Sequence, residues 1–192
     1  STATAEAEGI DVKDYVVREL QSGGLRFAAE DPDGPGNWPR ILTLWRANLL
    51  GSSSKGHEYF LRHVLGVEND AIRNDEAPPE CRPRDVVWRD EAPVGKFDLF
   101  TTIDFRMNGS CVYSDVVLPA ATWYEKDDLN TSDMHPFIHP LSKAVDPAWE
   151  SRSDWEIFKG IARKFSEVCP GHLGVEKDLV LTPMQHDTPG EL

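Results

Sequence analysis

The sequence predicts an α/β domain, a mainly parallel sheet flanked by helices in the manner of a dinucleotide-binding (Rossmann-like) fold with long loops. Three observations carry that expectation. Two short apolar runs rich in strand formers, ILTLW at 41–45 and FDLFTTI at 97–103, read as strands buried on both faces. A shorter run, DVVL at 115–118, reads as a third. Helical stripes separate and follow them, and the order strand, helix, strand, strand, helix suits crossovers between parallel strands.

Taken in order, residues 1–9 are small and acidic and are expected to be loose. They lack the basic and apolar regions of a signal peptide. Residues 11–20 place Val12, Tyr15, Val16 and Leu20 at helical spacing, and Gly23-Gly24 ends the helix. Turn formers fill 30–40. After the first strand comes a polar loop, then HEYFLRHVL at 57–65 with Tyr59, Phe60, Val64 and Leu65 at helical spacing. Residues 69–90 are polar and proline-rich, a surface excursion around DVVW at 85–88. Residues 130–147 show prolines and no period, and an extended loop is expected there. The last helix spans 151–168, with Ser151 and Ser153 as caps and Trp155, Phe158, Ile161, Ala162 and Phe165 as its apolar stripe. Pro170-Gly171 stops it. Two strands and a short third do not make a self-sufficient sheet. Either strands are hidden in the pattern or the chain is a piece of something larger.

Composition narrows the function classes. A chain of 192 residues suits one domain, and 14 glycines with 14 prolines imply long connections. A net charge of −13 disfavours phosphate-backbone binding to nucleic acid and unaided attachment to an anionic membrane. No apolar run reaches the roughly 18 residues of a membrane span. Cys81, Cys111 and Cys169 are scattered, which suits free thiols in a reducing cytoplasm and not a zinc or iron–sulfur site.

Three loops are candidates for ligand binding. WRANLLGSSSKGHE at 45–58 offers Asn48, Ser52, Ser53, Ser54 and Lys55 before a helix. It reads either as a plain helix cap or as a phosphate cradle. It is not a Walker A loop, because His57 stands where the lysine belongs. Asp104 ends the second strand. An acid there is able to accept from a purine N1–H and exocyclic amine, while the plainer reading is a salt bridge to Arg106 or another basic residue. In SDVVLPAATWYEKDD at 114–128, Pro119 ends the strand and Thr122–Glu125 reach the C-terminal sheet edge. Glu125 has no visible partner carboxylate, so a general-base role is weakly supported. His135 and His139 have i, i+4 spacing, but Pro136 and Pro140 follow them, which argues against a helical zinc site.

The run FDLFTTIDFRMNGSCVYSDVVLPAATWYEKDD at 97–128 resembles the segment of molybdopterin oxidoreductases of the DMSO reductase family that lies beside the pterin-dinucleotide cofactor. The continuation NTSDMHPFIHPLSKAVDPAWESRSDWEIFKGIARKFSEVC is similar to the alpha subunits of respiratory, membrane-bound nitrate reductases. The resemblance extends from about Gly23 to the end of the sequence. It implies that residues 25–192 form the third, dinucleotide-binding-like domain of a much longer subunit, with 1–24 as a lead-in and short helix. It implies the bis-molybdopterin guanine dinucleotide cofactor with molybdenum, and two-electron reduction of nitrate to nitrite. Asn48, Ser52, Ser53, Ser54, Lys55, Asp104, Arg106 and Glu125 become cofactor-binding candidates, with Asp104 on guanine and Glu125 holding its loop. The ligands of molybdenum and of a 4Fe-4S cluster would lie elsewhere in the subunit, so the piece alone is expected to be inactive. The implied partners are the other domains, an iron–sulfur beta subunit and a haem-bearing membrane gamma subunit, which would hold the complex on the cytoplasmic face of the membrane. Without the resemblance, the chain reads as a soluble nucleotide- or anion-binding module, or as a structural packing domain that touches no ligand.

Overall fold

In the computed structural model, which describes residues 2–52, 57–89 and 91–172, the chain divides into two units, Ser1–Arg40 with Gly56–Asp98 and Ile41–Lys55 with Leu99–Leu192. Each is taken by itself.

The first unit is built from helices and turns. The stretch expected to be loose carries α1 (Thr2–Glu8). It is followed by α2 (Val12–Ser22), where the apolar spacing placed a helix. Asp11 caps α2 by accepting from the Lys13 N–H at 2.9 Å, and Gly23 ends it in the left-handed region at φ 71°. Helical structure resumes at His57 and widens over Tyr59–Val64, where the Leu65 N–H reaches back five residues to the Phe60 carbonyl at 2.9 Å. The main chain at 95–97 then docks on this segment through Lys96 N–H to His63 O and Phe97 N–H to Val64 O, both 3.1 Å. Gly66 and Gly95 make that approach possible. Both have positive φ, and a Cβ on either would lie within 3.4 Å of the other's Cα. Lys96 is fully buried, with its ammonium on Asp33 and 5.1 Å from the centre of the Tyr59 ring.

The second unit holds the sheet. β1 (Ile41–Trp45), β2 (Leu99–Asp104) and β3 (Val116–Pro119) lie in the order β1-β2-β3, all parallel. Trp45 aligns with Ile103, and Ile103 with Leu118. β2 is central and its residues 100–104 are buried, as expected of a strand flanked on both sides. The polar Thr102 is accommodated there because its hydroxyl pairs with Ser114 at 2.6 Å. Asp115 sets the β2–β3 crossover by accepting the Phe100 N–H at 2.8 Å. α3 (Leu49–Ser52) and α4 (Gly109–Val112) are single turns after β1 and β2.

α5 (Asp154–Val168) starts at a capping box. Ser153 Oγ accepts the Glu156 N–H, and the Glu156 carboxylate accepts from the Ser153 N–H at 3.0 Å. Its Ile157 and Phe158 pack with Ile103, Leu118 and Ala120 to form the core, and Trp45 meets Phe158 edge-on at 5.2 Å.

The sequence expectation fails at 130–147. Instead of a featureless loop, β4 (Asp128–Ser132) and β5 (His135–Leu141) form an antiparallel hairpin with an irregularity between Asn130 and Ser132. The reason is that an isolated ribbon has two free edges. Pro136 and Pro140 can sit there without breaking a ladder on both sides, and the bulge erases the period-two signal.

Candidate functional site at the C-terminal edge of the sheet

The turns that follow β1, β2 and β3 gather at the C-terminal ends of the parallel strands, where open α/β sheets bind ligands. Asn48 organises the first. Its side chain accepts the Gly51 N–H at 3.0 Å and its carbonyl accepts the Ser52 N–H at 2.9 Å. Ser53, Ser54 and Lys55 lie outside the described residues. The first and second turns touch: the Leu50 N–H points at Ser110 Oγ at 3.4 Å, and a Cβ on Gly109 would sit 3.4 Å from Asn48 Oδ1.

Asp104 governs the second turn. Its carboxylate accepts from the Arg106 N–H at 3.0 Å and from the Asn108 amide at 2.7 Å. Asn108 in turn accepts from the Ser110 and Cys111 N–H groups, capping α4. Among the described residues Asp104 makes no salt bridge, to Arg106 or to another basic residue. The Arg106 guanidinium instead lies over the Phe105 ring, 5.0 Å from its centre, and is exposed. A carboxylate offers about four lone-pair positions and two are used, so acceptor capacity remains.

Glu125 shapes the third turn. It accepts from the Thr122 N–H at 2.8 Å and the Thr122 hydroxyl at 3.0 Å, closing a capping box. Those two hydrogen bonds hold its carboxyl below the usual carboxylate range. The same two bonds tie the carboxylate to its own turn. Asp104 and Glu125 line one pocket of about 340 Å³ with Phe105, Pro119 and Thr122. That volume accepts one planar ring system, and the pocket presents acceptors to it. Those acceptors suit the donor edge of a purine-like group, and the neighbouring turn of Asn48 and Ser52 is polar.

Reading the sequence missed a hub at the same edge. Asp154, the first residue of α5, accepts from Trp45 Nε1 at 2.8 Å and from Arg46 and Lys126. Lys126 also pairs with Asp128 at 2.6 Å. The side chains of Lys126 and Asp154 are only 2% and 8% exposed. Burial pushes the Asp154 carboxyl up, but the hydrogen bonds from Lys126 and Trp45 and the charges of Lys126 and Arg46 outweigh it and hold the group below its ordinary value. Arg46 sits at φ 54°, a region L-residues rarely adopt, and its Nε–H is buried without an acceptor among the described residues. In sequence, Lys126 and Asp154 belong to charged runs that read as solvated surface. The unusual signal was Arg46, a cation directly after an apolar strand.

His135 and His139 lie edge-on 5.1 Å apart on the exposed face of β5, and His135 Nδ1 accepts the Phe137 N–H at 3.3 Å. Among the described residues no group of three or more His, Cys, Asp or Glu is placed to hold a metal ion. None of their helices is long and apolar enough to cross a membrane.

The chain is 58% identical over 192 residues to the respiratory nitrate reductase 2 alpha chain of Escherichia coli (strain K12), covering 99% of this chain and 15% of that protein. It is 55% identical over 188 residues to the nitrate reductase alpha subunit of Mycobacterium tuberculosis (strain H37Rv), covering 98% of this chain and 15% of that one. The perchlorate reductase alpha subunit of Dechloromonas aromatica (strain RCB) is 32% identical over 168 residues, 88% of this chain and 14% of that protein. The chain thus spans about 15% of the length of these relatives. The family model described as molybdopterin oxidoreductase matches residues 20–164, a stretch that contains all three strands of the parallel sheet and the turns that follow them, and the chain belongs to that family.

Proposed function

We propose that this chain is a cofactor-binding domain of the alpha subunit of a respiratory, molybdenum-dependent nitrate reductase. The observation that carries the reading is identity of 58% and 55% to nitrate reductase alpha subunits across nearly the whole chain, against 32% to a perchlorate reductase. Residues 25–192 are the binding domain and 1–24 its lead-in. The cofactor is a molybdopterin guanine dinucleotide, which when bound supplies the two-electron redox chemistry that turns nitrate into nitrite. This chain's residues bind and orient. Asp104 accepts from the guanine edge with the lone pairs its own turn leaves over. Asn48, Ser52, Ser53, Ser54 and Lys55 serve the phosphates, and Arg106 closes over the base from the exposed side. Glu125 fixes the third turn and does not contact a reacting atom. The 4Fe-4S ligands, the iron–sulfur beta subunit and the membrane haem gamma subunit belong to the remainder of the complex, which sits on the cytoplasmic face of the membrane.

The test uses the full-length subunit and measures nitrate reduction per bound molybdenum. Asp104→Ala leaves guanine donors without acceptors, which costs about 1–3 kcal/mol and weakens retention by roughly one to two orders of magnitude. Molybdenum content falls, while activity per molybdenum stays near wild type. Asn108→Ala loosens the same turn but keeps the carboxylate, and retains more cofactor. Full molybdenum with collapsed activity in Asp104→Ala would refute the binding role. Equal losses in both variants would show that only the turn matters.

A further inference from the structure

Hydrogen-bond direction along the sheet shows that, among the described residues, one margin is unpaired. Arg46 N–H donates to Ile103 O at 2.8 Å, and Asp98 N–H donates to Arg40 O at 2.7 Å. In a strand the N–H and C=O of one residue point to the same side and alternate along the chain. Leu42 and Leu44 therefore turn their main-chain groups to β2, and Ile41, Thr43 and Trp45 turn theirs outward. Among the described residues, β1 pairs with β2 alone.

The two margins of the sheet differ. β3 carries the marks of a true edge. It is short, it ends in Pro119, and residues 151–153 already cap it: Arg152 N–H donates to Pro119 O at 3.1 Å and Arg152 O accepts from Ala121 N–H at 2.8 Å. Among the described residues β1 has none of these devices. Its sequence, ILTLW, contains no proline and no charge, and Ile41 and Trp45 stand 66% and 55% exposed. Naked, flat, apolar strand edges are what soluble proteins avoid, and parallel sheets are normally interior.

We infer that β1 is an interior strand, and that an extended, apolar segment of the same longer polypeptide, lying outside these residues, pairs with it in parallel. The chain covers about 15% of its relatives' length, so sequence to supply the strand is ample. A second copy fits poorly. Identical strands meeting across a twofold axis pair antiparallel, and each chain carries a net charge of −13. Pairing on that side also gives the turn of Asn48 and Ser52 a strand end on each flank, converting a sheet margin into a crevice.

The inference rests on the reading of this chain as a domain of a longer subunit, and its test is independent of nitrate turnover. Hydrogen exchange of the full-length subunit is read at single-residue resolution by mass spectrometry, and a benzophenone cross-linker in place of Ile41 reports what lies alongside. Expected are Thr43 and Trp45 amides slowed about 100-fold or more relative to an unstructured peptide, as for a strand that opens only sub-globally. The cross-link is expected to join Ile41's position to a peptide of the same polypeptide outside residues 1–192. Thr43 and Trp45 exchanging freely while Leu44 is protected overturns the inference. So does a cross-link to a second copy, or no cross-linked product. An enzyme without nitrate reductase activity but with the protected pattern would sink the functional reading and leave this one standing.

Discussion

Replacing Asp154 with alanine strands two cations at once. Among the described residues, Lys126, with its side chain 2% exposed, would keep only the partly exposed Asp128 as an ionic partner, and Arg46 would lose the one charged partner it has there. Breaking a buried pair by removing one member typically costs about 3–5 kcal/mol, because the remaining charge stays desolvated. With a urea slope of about 1–3 kcal/mol per molar, the midpoint should fall by about 2 M. Asp154→Asn keeps the shape and removes the charge, so it isolates the ionic part. The carboxyl is held below its ordinary value in the folded chain, so its contribution is fully present above about pH 4, the unfolded range, and is lost as pH falls through the folded value. Urea unfolding by pulse proteolysis from pH 7 to pH 2.5 should therefore show the gap between wild type and Asp154→Asn closing below pH 4. A gap constant with pH would refute the electrostatic account. A cost under about 1 kcal/mol for Asp154→Ala would place the cluster with ordinary surface pairs.

Two further outcomes follow from burial and capping. Asp33→Ala should destabilise more than Lys96→Met in thermal unfolding, because Lys96 is fully buried whereas Asp33, 26% exposed, can rehydrate when left alone; the reverse order would mean the ammonium is solvated. Glu125→Ala should speed amide exchange at Thr122 while Glu125→Gln largely restores it, since either acid or amide completes a capping box. Because that carboxyl is depressed, it should stay ionised as pH falls through the ordinary glutamate range, so wild-type protection should not fade there, and identical exchange in both variants would count against the cap.

What could be read in advance follows from how local the signal is. The strands 41–45 and 97–103 announced themselves as continuous apolar runs, but the burial expected of both is met by β2 alone: in β1 only Leu44 is buried, and Ile41, Thr43 and Trp45 are exposed. The structure moves the second to Leu99–Asp104 and keeps the pairing. The final helix was legible in its stripe and its serine, down to Ser153 as cap. Asp104 and Glu125 were visible as acids at strand and loop ends, and the fold brings them into one pocket. Asn108 and Asp154 were not. Their importance comes from partners four and more than a hundred residues away, and no periodicity encodes such pairs. The hairpin at 128–141 stayed hidden because proline and a bulge mask the alternation that would have revealed it.

The interleaving of the two units has a kinetic consequence. Ser132 and His135 pair across a two-residue turn, so the β4–β5 hairpin can close in about 1–10 μs. Leu44 pairs with Thr102, and all of residues 56–98, assigned to the other unit, lie between them in sequence. The β1–β2 ladder must bear the closure entropy of that whole excursion before its first bond is rewarded. The hairpin and α5 should therefore assemble early and the ladder late, leaving β1 with both its edges open through most of folding. During synthesis that strand is the segment most in need of a chaperone, and changes that lengthen 56–98 should lower soluble yield before they alter the finished protein.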